Sequence, residues 1–156
     1  MSTSDAWLLE CGESLSIAVG DHEMVELLQA AQCHHVPGSP YYCSQVLLRD
    51  EDIVPVMDID ALQRGIAAEP SDFYLCLLNY QEASNSPLRQ LAVKVRRAPE
   101  RIQVDDAQLC DFPADFDDSL LKPLALSCFI HHAKPVLIID IANLCSAGFR
   151  DLAAAS

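Results

Sequence analysis

The sequence has 156 residues, of which 51% are hydrophobic and 21% are charged, and its formal net charge is −13. This length and composition predict one globular domain, or two small lobes that share a core. The acidic balance disfavours nucleic acids and anionic membranes, which are bound largely through Lys and Arg, and it fits either a basic protein partner or simple solubility.

Apolar and polar residues alternate in many short segments, with the two-residue period that is typical of half-buried strands. Strands are predicted at residues 7–11, 15–19, 46–48, 53–57, 73–80, 91–96, 102–104, 124–130 and 135–140. The acidic run at residues 105–118 is interpreted as a solvated loop. A chain with this many short strands is expected to be mainly β.

One segment has a different period. Residues 21–32 place Met24, Leu27 and Leu28 at helical spacing and contain several helix-favouring residues, so a short helix is predicted there. Residues 33–42 follow with two prolines and a glycine, and this segment is predicted to be irregular.

Two of the predicted strands are joined by a short acidic connection, Asp-Glu-Asp. No glycine is present there to take a positive φ, so Asp50 or Asp52 is predicted to adopt it. Pro55 has no N–H, so its strand is predicted to lie at a sheet edge or to turn that position away from a neighbour. Asp58 is predicted to cap a helical turn that ends at Gly65.

The chain contains an internal similarity. Residues 53–62, IVPVMDIDAL, and residues 135–144, PVLIIDIANL, each give an apolar strand, then Asp-Ile, then Leu three residues later. Each segment also follows another apolar strand across a short polar turn. Two such hairpin-plus-turn units predict two small β-barrel lobes, and a chance similarity between short segments is the alternative.

Cysteine and histidine supply the candidate chemistry. Seven cysteines without framework spacing are expected to act as small hydrophobic residues in a reducing compartment. Candidates for a metal site or a thiol-dependent reaction are Cys33, His34, His35, Cys128, His131 and His132. Their spacing matches no zinc-finger pattern, and the sequence has no Gly-rich phosphate loop and no G-x-S-x-G motif. We predict no catalytic residue, no cofactor and no metal, with a metal- or thiol-dependent protein as the alternative.

The length of the apolar runs and the N-terminal residues indicate where in the cell the protein is expected. No apolar run reaches the ~18 residues that span a bilayer, and the first residues, MSTSDAW, lack the basic and apolar regions of a secretory signal. We expect a cytoplasmic protein that does not insert into membranes. Residues 1–156 are expected to form a single domain with a flexible C-terminal tail from about residue 146.

Arg49 ends an apolar strand and is followed by three acids. Its planar guanidinium can hold one carboxylate through two hydrogen bonds. It fits a local surface ion pair worth under ~1 kcal/mol, or a bond to a more distant acid such as Glu26, or a bond to a partner. The hairpin is therefore a candidate for presenting Arg49 to another protein.

From about Leu15 to Leu62 the sequence resembles the CheW-like domain of bacterial chemotaxis coupling proteins. The segments that match the family pattern are MVEL, VPGSPYY, VLLRD and IVPVMDI, in that order. Later in the chain, QLAVKVRRAPERIQV and KPVLIIDIANL occupy the places of further family strands. The resemblance therefore extends over nearly the whole chain.

The resemblance implies a fold of two SH3-like, five-stranded β-barrel lobes around a shared hydrophobic core, with a few short helical turns. It also implies a non-catalytic adaptor that couples chemoreceptor cytoplasmic tips to the regulatory domain of a CheA-type histidine kinase, in flagellar or type IV pilus motility. Arg49 matches the arginine of the family's Leu-Arg-Gly motif, which lies at the receptor-binding region and is linked to Glu26. Met24 and Asp50 are expected on the same contact surface.

The chain departs from the family pattern at several positions. The glycine after the arginine is Asp50, and an earlier glycine is Gln45. The late Val-Asp is Val93 followed by Lys94, and HHAKP replaces a glycine-bearing turn. Asp50 is placed to compete with a partner's acid for Arg49, so one of the two partner interactions is in doubt. A CheW-like module that binds another regulator is the alternative.

Overall fold

The computed structural model describes residues 3–67 and 72–155. In these residues the strands are β1 (Thr3–Glu10), β2 (Ser16–Gly20), β3 (Met24–Leu28), β4 (Cys33–His35), β5 (Gln45–Arg49), β6 (Asp52–Met57), β7 (Tyr74–Tyr80), β8 (Arg89–Val95), β9 (Glu100–Asp105), β10 (Ala125–His131) and β11 (Lys134–Ile139). The α-helices are α1 (Ile59–Arg64), α2 (Ile141–Leu144) and α3 (Ala147–Ala154). Single 3₁₀ turns form at Asp106–Gln108, Ala114–Phe116 and Lys122–Leu124. None of the helices in the described ranges is long and apolar enough to cross a membrane.

The strands form two sheets. One has five strands in the order β10-β11-β2-β1-β9, and the other has six in the order β3-β7-β8-β6-β5-β4. Neighbouring strands are antiparallel except in the pairs β11–β2 and β6–β8, which are parallel. The prediction of a mainly β fold with two lobes and a few short helices is confirmed. The second sheet has six strands rather than five, because β4 adds to β5 at its edge.

Each half of the chain contributes strands to both sheets. The β5–β6 hairpin of the first half pairs with β8 of the second half, and the β10–β11 hairpin of the second half pairs with β2 of the first half. Strands β1 and β2 of the first half thus complete the sheet that contains the β10–β11 hairpin of the second half. Strands β7 and β8 of the second half complete the sheet that contains the β5–β6 hairpin of the first half. The two lobes are interleaved, so neither sheet is complete without strands from both halves of the chain.

The internal similarity seen in the sequence corresponds to matching local structure. Each hairpin is followed by an aspartate that caps a short helix, α1 after β6 and α2 after β11. Asp58 Oδ1 accepts a hydrogen bond from the Ala61 N–H at 3.2 Å, and Asp140 Oδ1 accepts one from the Asn143 N–H at 3.1 Å. Helix α1 ends at Gly65, which has φ 77°. The predicted cap and the predicted end of this turn are both confirmed.

The buried apolar residues form three clusters. The inner cluster of the six-stranded sheet contains Leu47, Val54, Val56, Leu75, Leu77 and Ala92. The inner cluster of the five-stranded sheet contains Ala6, Ala18, Ile102, Phe129 and Val136. A larger shared cluster draws residues from both sheets and all three α-helices. Strand β7 is buried on both faces, because Leu75 and Leu77 point to one cluster while Cys76 and Leu78 point to the other, which explains its continuous apolar sequence.

The predicted helix at residues 21–32 is wrong, because this segment contains strand β3. Strand β3 pairs with β7, and a register shift between Met24 and Glu26 leaves Val25 as an extra residue. The bulge lets Met24 and Leu27, three residues apart, pack against the same shared cluster. One bulge in a strand therefore mimics helical spacing, and sheet pairing overrides the helix propensity of the segment.

One further expectation needs correction, and one prediction holds in its second form. Residues 33–42 are not wholly irregular, since they begin with β4. Strand β6, which contains Pro55, lies inside the sheet rather than at its edge. Its residues paired with β8 are Val56 and Met57, immediately after the proline. The missing N–H of Pro55 therefore falls before that pairing begins, as the second form of the prediction required.

The expected flexible tail from about residue 146 is wrong for residues 147–154, which form α3. Ser146 caps this helix, and its Oγ accepts a hydrogen bond from the Phe149 N–H at 3.1 Å. Phe149 is buried and meets Tyr42 edge to face, with ring centroids 5.7 Å apart. An alanine-rich end is thus held in place by one aromatic anchor and one helix cap.

Candidate protein-binding site

Arg49 forms an ion pair with Glu26. Arg49 is the last residue of β5 and Glu26 lies in the middle of β3. Nη2 of Arg49 donates a hydrogen bond to Oε1 of Glu26. The two side chains are 37% and 40% exposed, so the pair lies at the surface. Water screens such a pair to under about 1 kcal/mol, so its main effect is to hold the guanidinium in position.

The ion pair joins two strands that are not neighbours. Between β3 and β5 the sheet contains β7, β8 and β6. By strand alternation, Arg49 shares a face with Leu47, and Glu26 shares a face with Leu28. Leu47 belongs to the inner cluster of the six-stranded sheet, and Leu28 packs against it. The pair therefore spans the curled sheet beside its inner cluster and closes this lobe at one end.

The hairpin turn beside Arg49 has strained backbone. Asp50 and Glu51 connect β5 to β6, and Arg49 lies opposite Asp52 as the last pair. Asp50 has φ 56°, which confirms the prediction that one of these acids takes a left-handed conformation. In the described part of the chain the carboxylate that pairs with Arg49 is that of Glu26. The acid at position 50 therefore shapes the turn, while the acid at position 26 holds the arginine.

Apolar side chains are exposed on the same hairpin as this arginine. Leu48 and Ile53 lie opposite each other across the hairpin and are 58% and 69% exposed. By strand alternation they project from the face of the hairpin opposite to that of Arg49. Val25, the bulge residue of β3, is also exposed, whereas Met24 packs partly buried against the shared cluster. We call Arg49, Leu48 and Ile53 the hairpin surface. A hairpin end that carries a positioned charge and exposed apolar side chains is suited to contact with another protein.

A groove with a volume of about 1070 Å³ opens beside the hairpin surface. Three of the chain's ten Lys and Arg residues line it, and these are Arg49, Arg89 and Arg150. Asp50 and Asp52 line its hairpin end, so the groove carries both signs of charge. Burial raises the pKa of Tyr80, another lining residue, to about 12. Its phenol stays neutral, and it already interacts with the Cys145 side chain through a hydrogen bond.

Sequence reasoning missed the exposed apolar pair and two of the three groove arginines. Leu48 and Ile53 belong to apolar runs whose residues were all assigned to strands, without regard to which face each one occupies. Three consecutive apolar residues in a strand place side chains on both faces, so one of them is exposed when only one face is covered, and this signal was available for Val46–Leu48. Arg89 and Arg150 reach the groove from distant parts of the chain, and no local pattern indicates that.

The six candidate metal or thiol residues divide between the two sheets. Cys33, His34 and His35 form β4 of the six-stranded sheet, whereas Cys128, His131 and His132 lie on or just after β10 of the five-stranded sheet. The rings of His131 and His132 meet with centroids 4.1 Å apart. Within residues 3–67 and 72–155, no three Cys, His, Asp or Glu side chains are grouped so that they could hold a metal ion.

Two interleaved β lobes around a shared core define the CheW-like fold. A solved structure with this fold is similar over almost the whole chain: the scaffolding protein TtCheW from Thermoanaerobacter tengcongensis, with a TM-score of 0.71 and 14% sequence identity. The similarity covers 94% of this chain and 96% of that one. No protein-family model matches the sequence, and no curated protein matches it. The CheW-like fold that the sequence motifs predicted is therefore confirmed.

Proposed function

We propose that this protein is a non-catalytic adaptor in a bacterial chemosensory pathway. It would couple the cytoplasmic tips of chemoreceptors to the regulatory domain of a CheA-type histidine kinase, with its site of action in the cytoplasm. The similar solved structure is described as a scaffolding protein, and the sequence motifs point to the same class. Whether the pathway drives flagella or type IV pili is a question that partner identity will answer.

The observation that carries the proposal is the hairpin surface. Arg49 is partly exposed and one of its N–H groups is bound to Glu26, so its other N–H groups can still donate hydrogen bonds to a carboxylate of a partner. Leu48 and Ile53 offer apolar area that gains free energy when a partner removes it from water. In this arrangement the apolar pair supplies affinity and the arginine supplies orientation.

Weak individual contacts are sufficient for such a role. A hairpin and its flanking residues present a small surface, and small signalling interfaces are often weak and short-lived. Clustering of receptors and kinases raises the effective concentration of each partner, so modest contacts combine into a stable array. The net charge of −13 also favours partner surfaces that carry basic residues.

The test is a pull-down with two purified proteins offered separately, a histidine kinase regulatory domain and a chemoreceptor cytoplasmic tip from the same organism. We expect the wild-type chain to retain the receptor tip, and Leu48→Asp to lose most of that binding, because a charge would replace apolar contact area. Ile66→Asp is the matched control, since Ile66 is 64% exposed and lies outside the hairpin. Failure of the wild-type chain to bind either protein would remove the proposal.

A further inference from the structure

Two cysteines outside the hairpin surface, at the edge of the five-stranded sheet, have their sulfur atoms in contact. The Sγ atoms of Cys110 and Cys128 are 3.0 Å apart. Cys128 lies on β10, and Cys110 lies in the segment that connects the second half's β9 to β10. All seven cysteines fall within the described ranges and are free thiols. Among them, this is the pair joined by a sulfur-to-sulfur hydrogen bond.

The backbone around the two cysteines is also paired. Leu109 forms an isolated antiparallel bridge with Phe129, and the Cys110 N–H donates a hydrogen bond to the Cys128 carbonyl at 2.9 Å. The two cysteines are therefore directly opposite each other, one residue from the bridge. Residues opposite each other in an antiparallel pair have Cα atoms about 4.5–5.5 Å apart, which lies within the range that a disulfide spans.

Residues 108–110 cover an edge of the five-stranded sheet, and we call them the edge strap. Strand β10 is the terminal strand of that sheet, so its outer backbone groups would otherwise face solvent or another chain. The strap pairs with that edge through Leu109 and Cys110, and the Gln108 side-chain amide donates to the Ile130 carbonyl at 3.3 Å. Few bonds hold the strap, and Leu109 is 51% exposed, so a covalent link would change how firmly it is held.

We propose that Cys110 and Cys128 form a reversible redox modification site, in which a hydroperoxide converts the thiol pair to a disulfide that locks the edge strap onto β10. The site lies in the five-stranded sheet and the hairpin surface lies in the six-stranded sheet. The inference is therefore independent of the proposed adaptor function, and either one can fail without the other.

The difference in exposure sets the order of the chemistry. Cys128 is 3% exposed, and its burial raises the pKa of its thiol to about 12. Cys110 is partly exposed, so a small oxidant reaches it first. The Cys110 sulfur attacks the hydroperoxide, an S–O bond forms, the O–O bond breaks, and an alcohol leaves with the thiol proton.

The second step closes the disulfide. The Cys128 sulfur attacks the sulfenic acid on Cys110, an S–S bond forms, the S–O bond breaks, and the hydroxyl leaves as water with the Cys128 proton. Two thiols and one hydroperoxide thus give one disulfide, one alcohol and one water. A low-molecular-weight dithiol reverses the reaction by thiol–disulfide exchange.

The test uses the full chain, treated with tert-butyl hydroperoxide and then alkylated under denaturing conditions. Intact mass should show the loss of two of the seven alkylatable thiols, and peptide mapping should place the link between Cys110 and Cys128. Dithiothreitol should restore all seven. Exchange of the Leu109 and Cys110 amides should slow by about tenfold or more on oxidation, because the strap can no longer open locally.

Two variants complete the experiment. Cys110→Ser should abolish both the link and the change in exchange, whereas Cys33→Ser, which removes a partly buried thiol from the other sheet, should leave both unchanged. The proposal is overturned if the wild-type chain keeps seven thiols, if the link forms between other cysteines, or if Cys110 is oxidised without a link to Cys128.

Discussion

Replacing Arg49 with alanine is expected to weaken binding of the chemoreceptor cytoplasmic tip by about tenfold or more, which corresponds to ~1.4 kcal/mol. The same substitution should lower the free energy of unfolding by less than about 1 kcal/mol, because the ion pair with Glu26 is partly exposed. Isothermal titration calorimetry with the purified receptor tip and urea unfolding of the free chain measure the two effects separately.

Arg97→Ala is the matched control for this experiment. Arg97 also forms a surface ion pair, with Glu10 at 3.3 Å, and its side chain is 79% exposed. It follows β8 and does not belong to the hairpin surface, so its loss should leave binding unchanged. If Arg49→Ala instead destabilises the chain by several kcal/mol while binding is preserved, Arg49 is a structural residue and the docking role is refuted.

The largest effect on stability is expected at Phe129, in the inner cluster of the five-stranded sheet. Phe129 is fully buried and is the one aromatic member of that cluster. Its neighbours there include Ala6 and Ala18, which are too small to fill the space that a truncation would leave. Phe129→Ala should therefore lower the free energy of unfolding by about 3–5 kcal/mol, measured by urea denaturation.

A control on the same strand isolates this effect. Leu126 also lies on β10 but is 66% exposed, so Leu126→Ala should change the free energy of unfolding by no more than about 0.5 kcal/mol. If the two substitutions lower the free energy of unfolding by similar amounts, then Phe129 does not fill a buried core in the five-stranded sheet.

Most strands of this fold could be predicted from the sequence because apolar residues recur at every second position along them. In β8, Leu91, Val93 and Val95 face the shared cluster, and the alternation is directly visible. The helix caps were equally accessible, since Asp58 and Gly65 are residues with strong positional preferences. Local physical rules were sufficient wherever one face, one cap or one turn decides the structure.

Features that depend on distant contacts could not be predicted in this way. The β3 bulge at Val25 depends on pairing with β7, and α3 is ordered because Phe149 meets Tyr42 from a distant part of the chain. The CheW-like motifs linked Arg49 to Glu26, but no pattern showed that the pair would be half exposed. The contact of Cys110 with Cys128 likewise follows from sheet pairing across an intervening loop.

The most direct test of the docking role is hydrogen exchange on the full chain, with and without a saturating amount of the chemoreceptor cytoplasmic tip. The docking role predicts that exchange slows in residues 45–57, above all in the turn at Asp50 and Glu51, and stays unchanged in residues 125–139. Saturated binding that leaves residues 45–57 unprotected, or that protects the five-stranded sheet alone, would contradict it.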